Sequence, residues 1–377
     1  MSAVTTSPFR ADPGTEKLGY VDAMRGLAFL AVLIAHAGVH FPDASWRRFT
    51  NMGFYGVRLF FVVSAFTLFL SCESRFRKDR KPVRAFLVRR FFRLAPMFWL
   101  GMVIYSFLPG RDPLIPIERL GWVHYLTTLT FTHAWHPQTI DAVVPGGWSI
   151  GVECSFYLIL PLLWKYLRDA TKTGWFILAS TVFALVAGAV AKRVYPLDSA
   201  IPEDNIFLEW WLPNQLGVFG CGILLFHLGT KMDSIRSKRS TGLLFVTLCV
   251  FFINALKDLS TARFLPAGLV FGFGFLLLGL GLRLWPLPLL VNGLTKWTGK
   301  LSYSCYLTHF LVLELAVSSW HSGAVRNLWP TADGPRLLAL LGVAWTATMM
   351  ISSVTYRMIE EPGIALGRKL IRKWELS

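Results

Sequence analysis

Charge is scarce in this sequence, and acidic charge scarcest. Only 16% of the 377 residues are Asp, Glu, Lys or Arg, and the 38 Lys and Arg outnumber the 22 Asp and Glu. A soluble domain carries about 25% charged residues, so a wholly soluble enzyme is excluded. Cysteine is sparse too. Cys72, Cys154, Cys221, Cys249 and Cys305 are scattered, with no CxxC pair. That pattern argues against a zinc ribbon or a disulfide framework and leaves five small residues in or near helices. His124, His133 and His136 lack the spacing of a metal-ligand set, and no metal is expected. The chain shows no tandem repeat and no low-complexity tract. No small-residue cleavage site follows the first apolar run, which reads as a retained helix and not a signal peptide.

What the chain has is apolar length. Hydrophobic residues make up 54% of it and the mean hydropathy is +0.49. Runs of about 20 apolar residues, each long enough for a transmembrane helix, recur throughout. Spans are expected near 20–40, 53–71, 88–108, 147–167, 173–193, 205–228, 240–256, 264–284, 301–320 and 336–356. The reading is an all-α polytopic membrane protein of about ten helices. The net charge of +16 invites a nucleic-acid partner, but topology explains it better. With the N-terminus inside, most Lys and Arg fall at inner helix ends, including the run from Arg75 to Arg93 and the stretch from Arg357 to Lys373. Both termini are then cytoplasmic, the lipid bilayer is the partner, and no nucleic acid is expected. The expected layout is a cytoplasmic N-terminal segment (1–19), a membrane domain (20–362) and a basic cytoplasmic tail (363–377). Within the outer segment 108–146, the stretch near 120–136 is too short and polar to span. It reads as a re-entrant or interfacial piece.

A lipid-facing helix needs only Leu, Val, Phe and Ala, so polar exceptions carry the information. Arg25 and His36 lie in the first apolar run, eleven positions apart. Eleven residues make three turns plus roughly 20°, which puts both on one face about 16 Å apart along the axis. Arg90 and Arg93 enter the inner edge of the third span. Two arginines on one face suit phosphate oxygens, and snorkelling to the interface is the bland alternative. Glu153 sits about 9 Å below the outer boundary and His36 about 6 Å below it. A carboxylate at the depth of an imidazole fits a general base held by its partner, and it equally fits a structural polar pair. Trp148, Ser149, Phe156 and Tyr157 are placed to surround that carboxylate. Ser302, Tyr303, Tyr306 and His309 add polar groups at the inner end of the ninth span, where tyrosine is also ordinary interfacial dressing. Arg357, Glu360 and Glu361 follow the last span, and an Arg–Glu pair closing the inner face is the expected role.

Taken together, these motifs resemble the integral-membrane acyltransferase family 3, which contains O-antigen and exopolysaccharide O-acetylases. The resemblance runs from about Leu18 to Pro362. It rests on Asp22-Ala23-Met24-Arg25-Gly26-Leu27-Ala28, the Arg25-x10-His36 pair, the Gly56 to Phe66 stretch, Arg90-x-x-Arg93, the Trp148-Ser149…Glu153…Phe156-Tyr157 set, Ser302-Tyr303…Tyr306-Leu307…His309, and Glu360-x-Pro362. Each motif alone is weak; their order and placement are specific. Ala23 and Ala65 stand where glycine is usual, and Glu361 where a basic residue is common. No appended esterase-like domain is expected before the chain ends at Ser377.

The resemblance implies a bacterial inner-membrane enzyme that transfers an acyl group, usually acetyl, from cytosolic acyl-coenzyme A to a carbohydrate hydroxyl. Acyl-coenzyme A is then a co-substrate, and no permanently bound cofactor is expected. The layout fits: Arg90, Arg93 and Arg25 neutralise phosphates, the pantetheine arm rises along the first helix, and His36, oriented by Glu153, takes the hydroxyl proton. Asp22, Trp148, Ser149, Tyr157, Ser302, Tyr303, Tyr306 and His309 support that site. A covalent acyl-histidine route stays open. So do a transporter of a lipid-linked sugar or anionic metabolite, which would use the same buried charges as a pathway, and a non-catalytic assembly partner.

Overall fold

The structure, a computed structural model, describes residues 18–108, 120–195, 202–232, 235, 237–261, 266–322 and 325–376. The regular elements among them are all helical. In chain order they are α1 (Gly19–Val39), the short α2 (Arg47–Asn51), α3 (Gly56–Arg75), α4 (Pro82–Ser106), α5 (Trp122–Leu129), α6 (Trp148–Tyr166), α7 (Ala170–Val194), α8 (Pro202–Trp210), α9 (Leu212–Lys231), α10 (Lys238–Thr261), α11 (Ala267–Leu284), α12 (Gly293–Lys300), α13 (Ser302–Ser318), α14 (Asp333–Thr355) and α15 (Glu361–Leu376). A π-helical turn at Tyr356–Glu360 joins the last two.

Among the described residues, seven helical stretches are long and apolar enough to cross a membrane, or eight if α12 and α13, bent by 85°, count as one span. The ten expected spans have counterparts in α1, α3, α4, α6, α7, α9, α10, α11, α13 and α14. Three of these, α4, α6 and α13, are absent from the seven, α13 entering only through the bent pair; site residues Arg90, Arg93 and Glu153 are among the charges that thin the apolar character of α4 and α6. A backbone inside lipid must satisfy its own hydrogen bonds, which is why long apolar runs become helices. The ends are set locally. Asp169 caps α7 by accepting from the Lys172 N–H at 2.8 Å, and Asn292 caps α12 by accepting from the Thr295 N–H at 3.0 Å.

Burial sorts the helices into an inner and an outer set. Of the apolar windows, 61% of α1 and 67% of α11 are buried, against 22% of α7 and 11% of α10. Leu178, Val182 and Leu185 on α7 and Leu244, Val250 and Phe251 on α10 are all exposed. Apolar surface left open on this scale is what a bilayer covers. The protein is a multi-pass membrane protein whose inner helices α1, α3, α4, α6 and α13 surround the polar residues.

Three expected segments gain detail. The span placed at 205–228 is one apolar stretch, Ile206–Lys231, made of α8 and α9 with a break at Trp211; Pro213 lies in the first turn of α9, where its missing N–H leaves no hydrogen bond unmade. The tail 363–377 is not merely a basic stretch: through Leu376 it forms α15, which packs back on α4. The piece near 120–136 is an eight-residue helix, α5, followed by a turn where Phe131 has φ +61° and by a 3-10 turn at His133–Trp135. Trp122, Leu126 and Trp135 remain exposed, as an interfacial element requires. Most of the N-terminal segment 1–19, and 109–119 of the outer segment, lie outside the described residues.

Small residues let the inner helices approach. A Cβ at Gly26 would overlap the carbonyl oxygen of Thr295, and one at Gly299 the carbonyl oxygen of Asp22. α1 and α12 therefore touch backbone to backbone. Gly299→Val is expected to destabilise the fold by about 4 kcal/mol or more, read as loss of folded protein from the membrane and a lowered melting temperature in detergent. A variant that melts like the wild type would refute this contact.

Candidate active site

α1, α3, α4, α6 and α13 enclose a cavity with about 680 Å³ of empty space, counting the part open to solvent. Its polar contents are ordered along α3. Thr67 accepts from Arg25 at 3.1 Å. One turn on, Ser64 donates to Glu153 in a short hydrogen bond. One further turn on, Phe60 meets the ring of Tyr306 edge-on, at 6.0 Å between centroids. The cavity thus has an arginine end, a carboxylate in its middle and a tyrosine end.

At the arginine end, Arg25, Arg90 and Arg93 share one wall. Arg25 also donates to Asp22 at 3.2 Å. Among the described residues, Arg90 and Arg93 form no ion pair with a carboxylate. The Arg90 guanidinium lies 5.5 Å from the Phe86 ring centroid and 5.9 Å from that of Tyr157, and its buried Nε has no hydrogen-bond partner among the described residues. Fixed planar forks against aromatic faces, open on one side, are built to receive an anion.

At the other end, Tyr306 Oη donates to the Gly146 carbonyl at 3.0 Å and accepts from Ser149 Oγ at 3.0 Å. Tyr303 Oη donates to the Leu94 carbonyl at 2.7 Å, tying α13 to α4. Ser302 and, beside Arg90, Tyr157 also line the cavity. Gly146 has φ +74°, and a Cβ there would come 2.9 Å from Tyr306 Oη. Gly146→Ala is therefore expected to displace Tyr306 and lower transfer about tenfold or more, since backbone strain in this region costs of order 1–3 kcal/mol. Unchanged transfer would show that Tyr306 tolerates movement.

His36 is not on this cavity wall. Its ring lies against Phe310 (4.4 Å), Phe54 (5.1 Å) and His309 (5.3 Å). No hydrogen bond or ion pair joins it to Glu153 among the described residues, so the expected His36–Glu153 contact is not made. Depth along two helices follows from sequence, but the direction each side chain faces depends on packing: Glu153 turns to α3, and His36 turns to α13. Tyr306 connects the two regions, its ring 5.7 Å from that of His309.

Two other expectations change. Trp148 does not shape the carboxylate's surroundings; it stacks on Trp210 at 4.7 Å and lies under the Arg58 guanidinium. Arg58 is buried in an ion pair with Glu209 at 2.8 Å. Glu360 does not pair with Arg357, which is exposed. The π-helical turn directs Glu360 inward, where Ser304 donates to it. His133 contacts the Gly147 carbonyl at 2.9 Å through Nε2, and no group of three His, Cys, Asp or Glu able to hold a metal occurs among the described residues. Sequence reasoning also passed over Ser64 and Thr67 as individual site residues. Their signal was legible: two hydroxyls three residues apart in an apolar run share a helix face with Phe60.

A membrane-embedded helical bundle with an arginine-lined cavity defines the class. Residues 18–354 match the family described as an acyltransferase domain, and the chain belongs to that family. It is a membrane-bound O-acyltransferase. It is 24% identical to the acyltransferase MdmB of Streptomyces mycarofaciens, over 95% of this chain and 94% of that one. It is 25% identical to the exopolysaccharide production protein ExoZ of Rhizobium meliloti, over 87% and 95%. It is 22% identical to the peptidoglycan O-acetyltransferase OatA of Listeria monocytogenes, over 91% of this chain but 55% of the relative. No solved structure matches the chain.

Proposed function

We propose that this enzyme transfers an acyl group, acetyl in the first instance, from cytosolic acyl-coenzyme A to a hydroxyl of a cell-surface or exported carbohydrate or its lipid-linked precursor. The observation that carries the proposal is the cavity itself. Two arginines with no ion pair among the described residues and a third beside Asp22 stand at one end, and Tyr306, next to the His36–His309 pair, stands at the other. Arg90, Arg93 and Arg25 bind the donor's phosphates. The narrow pantetheine arm lies along α3 and brings the thioester to the Tyr306 end. His36 acts as general base on the acceptor hydroxyl. The hydroxyl oxygen bonds to the thioester carbonyl carbon as its proton passes to His36. The C–S bond breaks, and the leaving thiolate takes the proton back. Glu153, hydrogen-bonded to Ser64, offsets the arginine charge in mid-cavity.

The basic residues at Arg75–Arg93 and on α15 support a cytoplasmic arginine end, cytoplasmic termini and a bacterial inner membrane. The names of ExoZ and OatA support a polysaccharide acceptor. The test is transfer of label from radiolabelled acetyl-coenzyme A, in membranes containing the protein, to a crude polysaccharide fraction of the source cell. Alkali-labile label on polysaccharide is the expected result. Movement of substrate across vesicles with no label transferred would favour the transporter instead.

A further inference from the structure

We propose that His309 is the positioning residue for His36, filling through a second imidazole the role that a carboxylate fills in a triad. This rests on His36 being the base. His309 is fully buried on α13. Its Nδ1 lies 2.7 Å from the Tyr306 carbonyl and 3.2 Å from the Cys305 carbonyl. Carbonyl oxygens only accept, so Nδ1 carries the proton and Nε2 of the neutral ring is a lone pair. That Nε2 is buried with no hydrogen-bond partner among the described residues.

A histidine kept only for packing would not need this nitrogen, and leaving a buried acceptor unpaired costs stability. The ring itself is fixed. Phe29 meets it edge-on at 5.7 Å, and Phe310 lies 4.1 Å away. The His36 ring is 5.3 Å distant and tilted by 55°. Each ring nitrogen lies about 1.1 Å from its centroid, so rings 5.3 Å apart can bring facing nitrogens to about 3 Å, hydrogen-bond reach, once the rings turn toward one another.

The two rings then divide the work. One nitrogen of His36 takes the proton from the hydroxyl as the oxygen attacks the thioester carbon. Its other nitrogen, now an N–H of an imidazolium, donates to Nε2 of His309. His309 keeps its own proton on Nδ1 throughout. Once the C–S bond has broken, His36 returns its proton to the thiolate. His309 thus selects the His36 tautomer and stabilises its charged form without touching substrate.

Two substitutions separate this role from a structural one. In His309→Asn the amide N–H replaces Nδ1–H toward the carbonyls, but nothing accepts where Nε2 stood. In His309→Gln the longer side chain returns an amide oxygen near that position. With the full chain purified in detergent, acetyl-coenzyme A as donor and the crude polysaccharide fraction as acceptor, His309→Asn is expected to lower kcat about 100-fold, the low end of what a base contributes. KM for acetyl-coenzyme A should stay within about threefold, and His309→Gln should recover about tenfold of the lost kcat. The double variant His36→Ala/His309→Asn should be no slower than His36→Ala, because residues acting as a unit are non-additive. Wild-type kcat in His309→Asn, equal rates for Asn and Gln, or additive losses in the double variant would each overturn the inference. If His309→Asn does not accumulate, the Gln variant carries the test: near-wild-type melting with kcat well above that of His36→Ala supports the inference, and kcat as low as His36→Ala overturns it. Full activity of His36→Ala would sink the general-base reading. Loss there with none in His309→Asn would sink only the inference about His309.

Discussion

His36→Ala is expected to lower kcat for acetyl transfer about 10³-fold while donor binding stays near the wild-type value. A positioned base contributes roughly 10² to 10⁴ to rate, and an alcohol hydroxyl attacks a thioester poorly without one. Binding should survive because His36 lies outside the arginine-lined cavity, against Phe54, Phe310 and His309. The substitution removes a half-buried ring at the edge of that aromatic cluster, so the fold should hold, and a melting curve checks it. The two readouts have to be taken together. Lost turnover with retained binding of labelled acetyl-coenzyme A puts His36 in the chemistry. Lost turnover with lost binding would mean that the cavity extends to His36 and that the ring helps hold the donor. Normal turnover would remove it from the mechanism and shift attention to Glu153, the carboxylate in the cavity.

The sequence made axial positions legible and azimuths illegible. Arg25, Arg90, Arg93, Glu153, Ser149, Tyr157, Ser302, Tyr303 and Tyr306 do gather around one cavity, because polar residues in an apolar helix seek one another or water. Most of their depths follow from counting residues at 1.5 Å each, but Tyr306 and His309, expected at the inner end of their span, lie instead beside Gly146, Ser149 and His36, residues expected near the outer boundary. Which neighbour each one faces does not follow from counting. It depends on how helices cross, and the crossing depends on contacts such as Gly26 on Thr295 that no periodicity announces. The same limit explains the Trp148 and Glu360 corrections: both residues were placed at the right level and turned toward the wrong partners. The break at Trp211 and the helix α15 are illegible for a different reason. Hydropathy registers apolar length, and it is blind to a proline that restarts a helix and to an amphipathic helix whose apolar side is short.

Arg90→Ala and Arg93→Ala are each expected to raise KM for acetyl-coenzyme A about 10- to 100-fold, with much smaller effects on kcat. A charge-assisted hydrogen bond contributes about 1.5–3 kcal/mol, which corresponds to that range. Neither arginine has a carboxylate partner among the described residues, whereas Arg25 is paired with Asp22. Glu153 and Glu360 offset the charge of Arg90 and Arg93 only from a distance, so both guanidinium groups keep donors free for an anion, and binding one relieves the cost of burying them. Arg25→Ala should accordingly cost less, because Asp22 already shares its charge. Lysine substitutions sharpen the argument. Arg90→Lys keeps the charge but loses both the planar fork and the stacking on Phe86, so partial restoration separates bidentate recognition from simple attraction. Dephospho-acetyl-coenzyme A, which lacks one phosphate, identifies the contact. If Arg93→Ala weakens the normal donor strongly and the dephospho donor hardly at all, that phosphate sits on Arg93. If both arginine variants bind both donors as the wild type does, the phosphate cradle is elsewhere, and the exposed cluster of Arg80, Lys81 and Arg84 beside Trp374 on α15 becomes the place to test next.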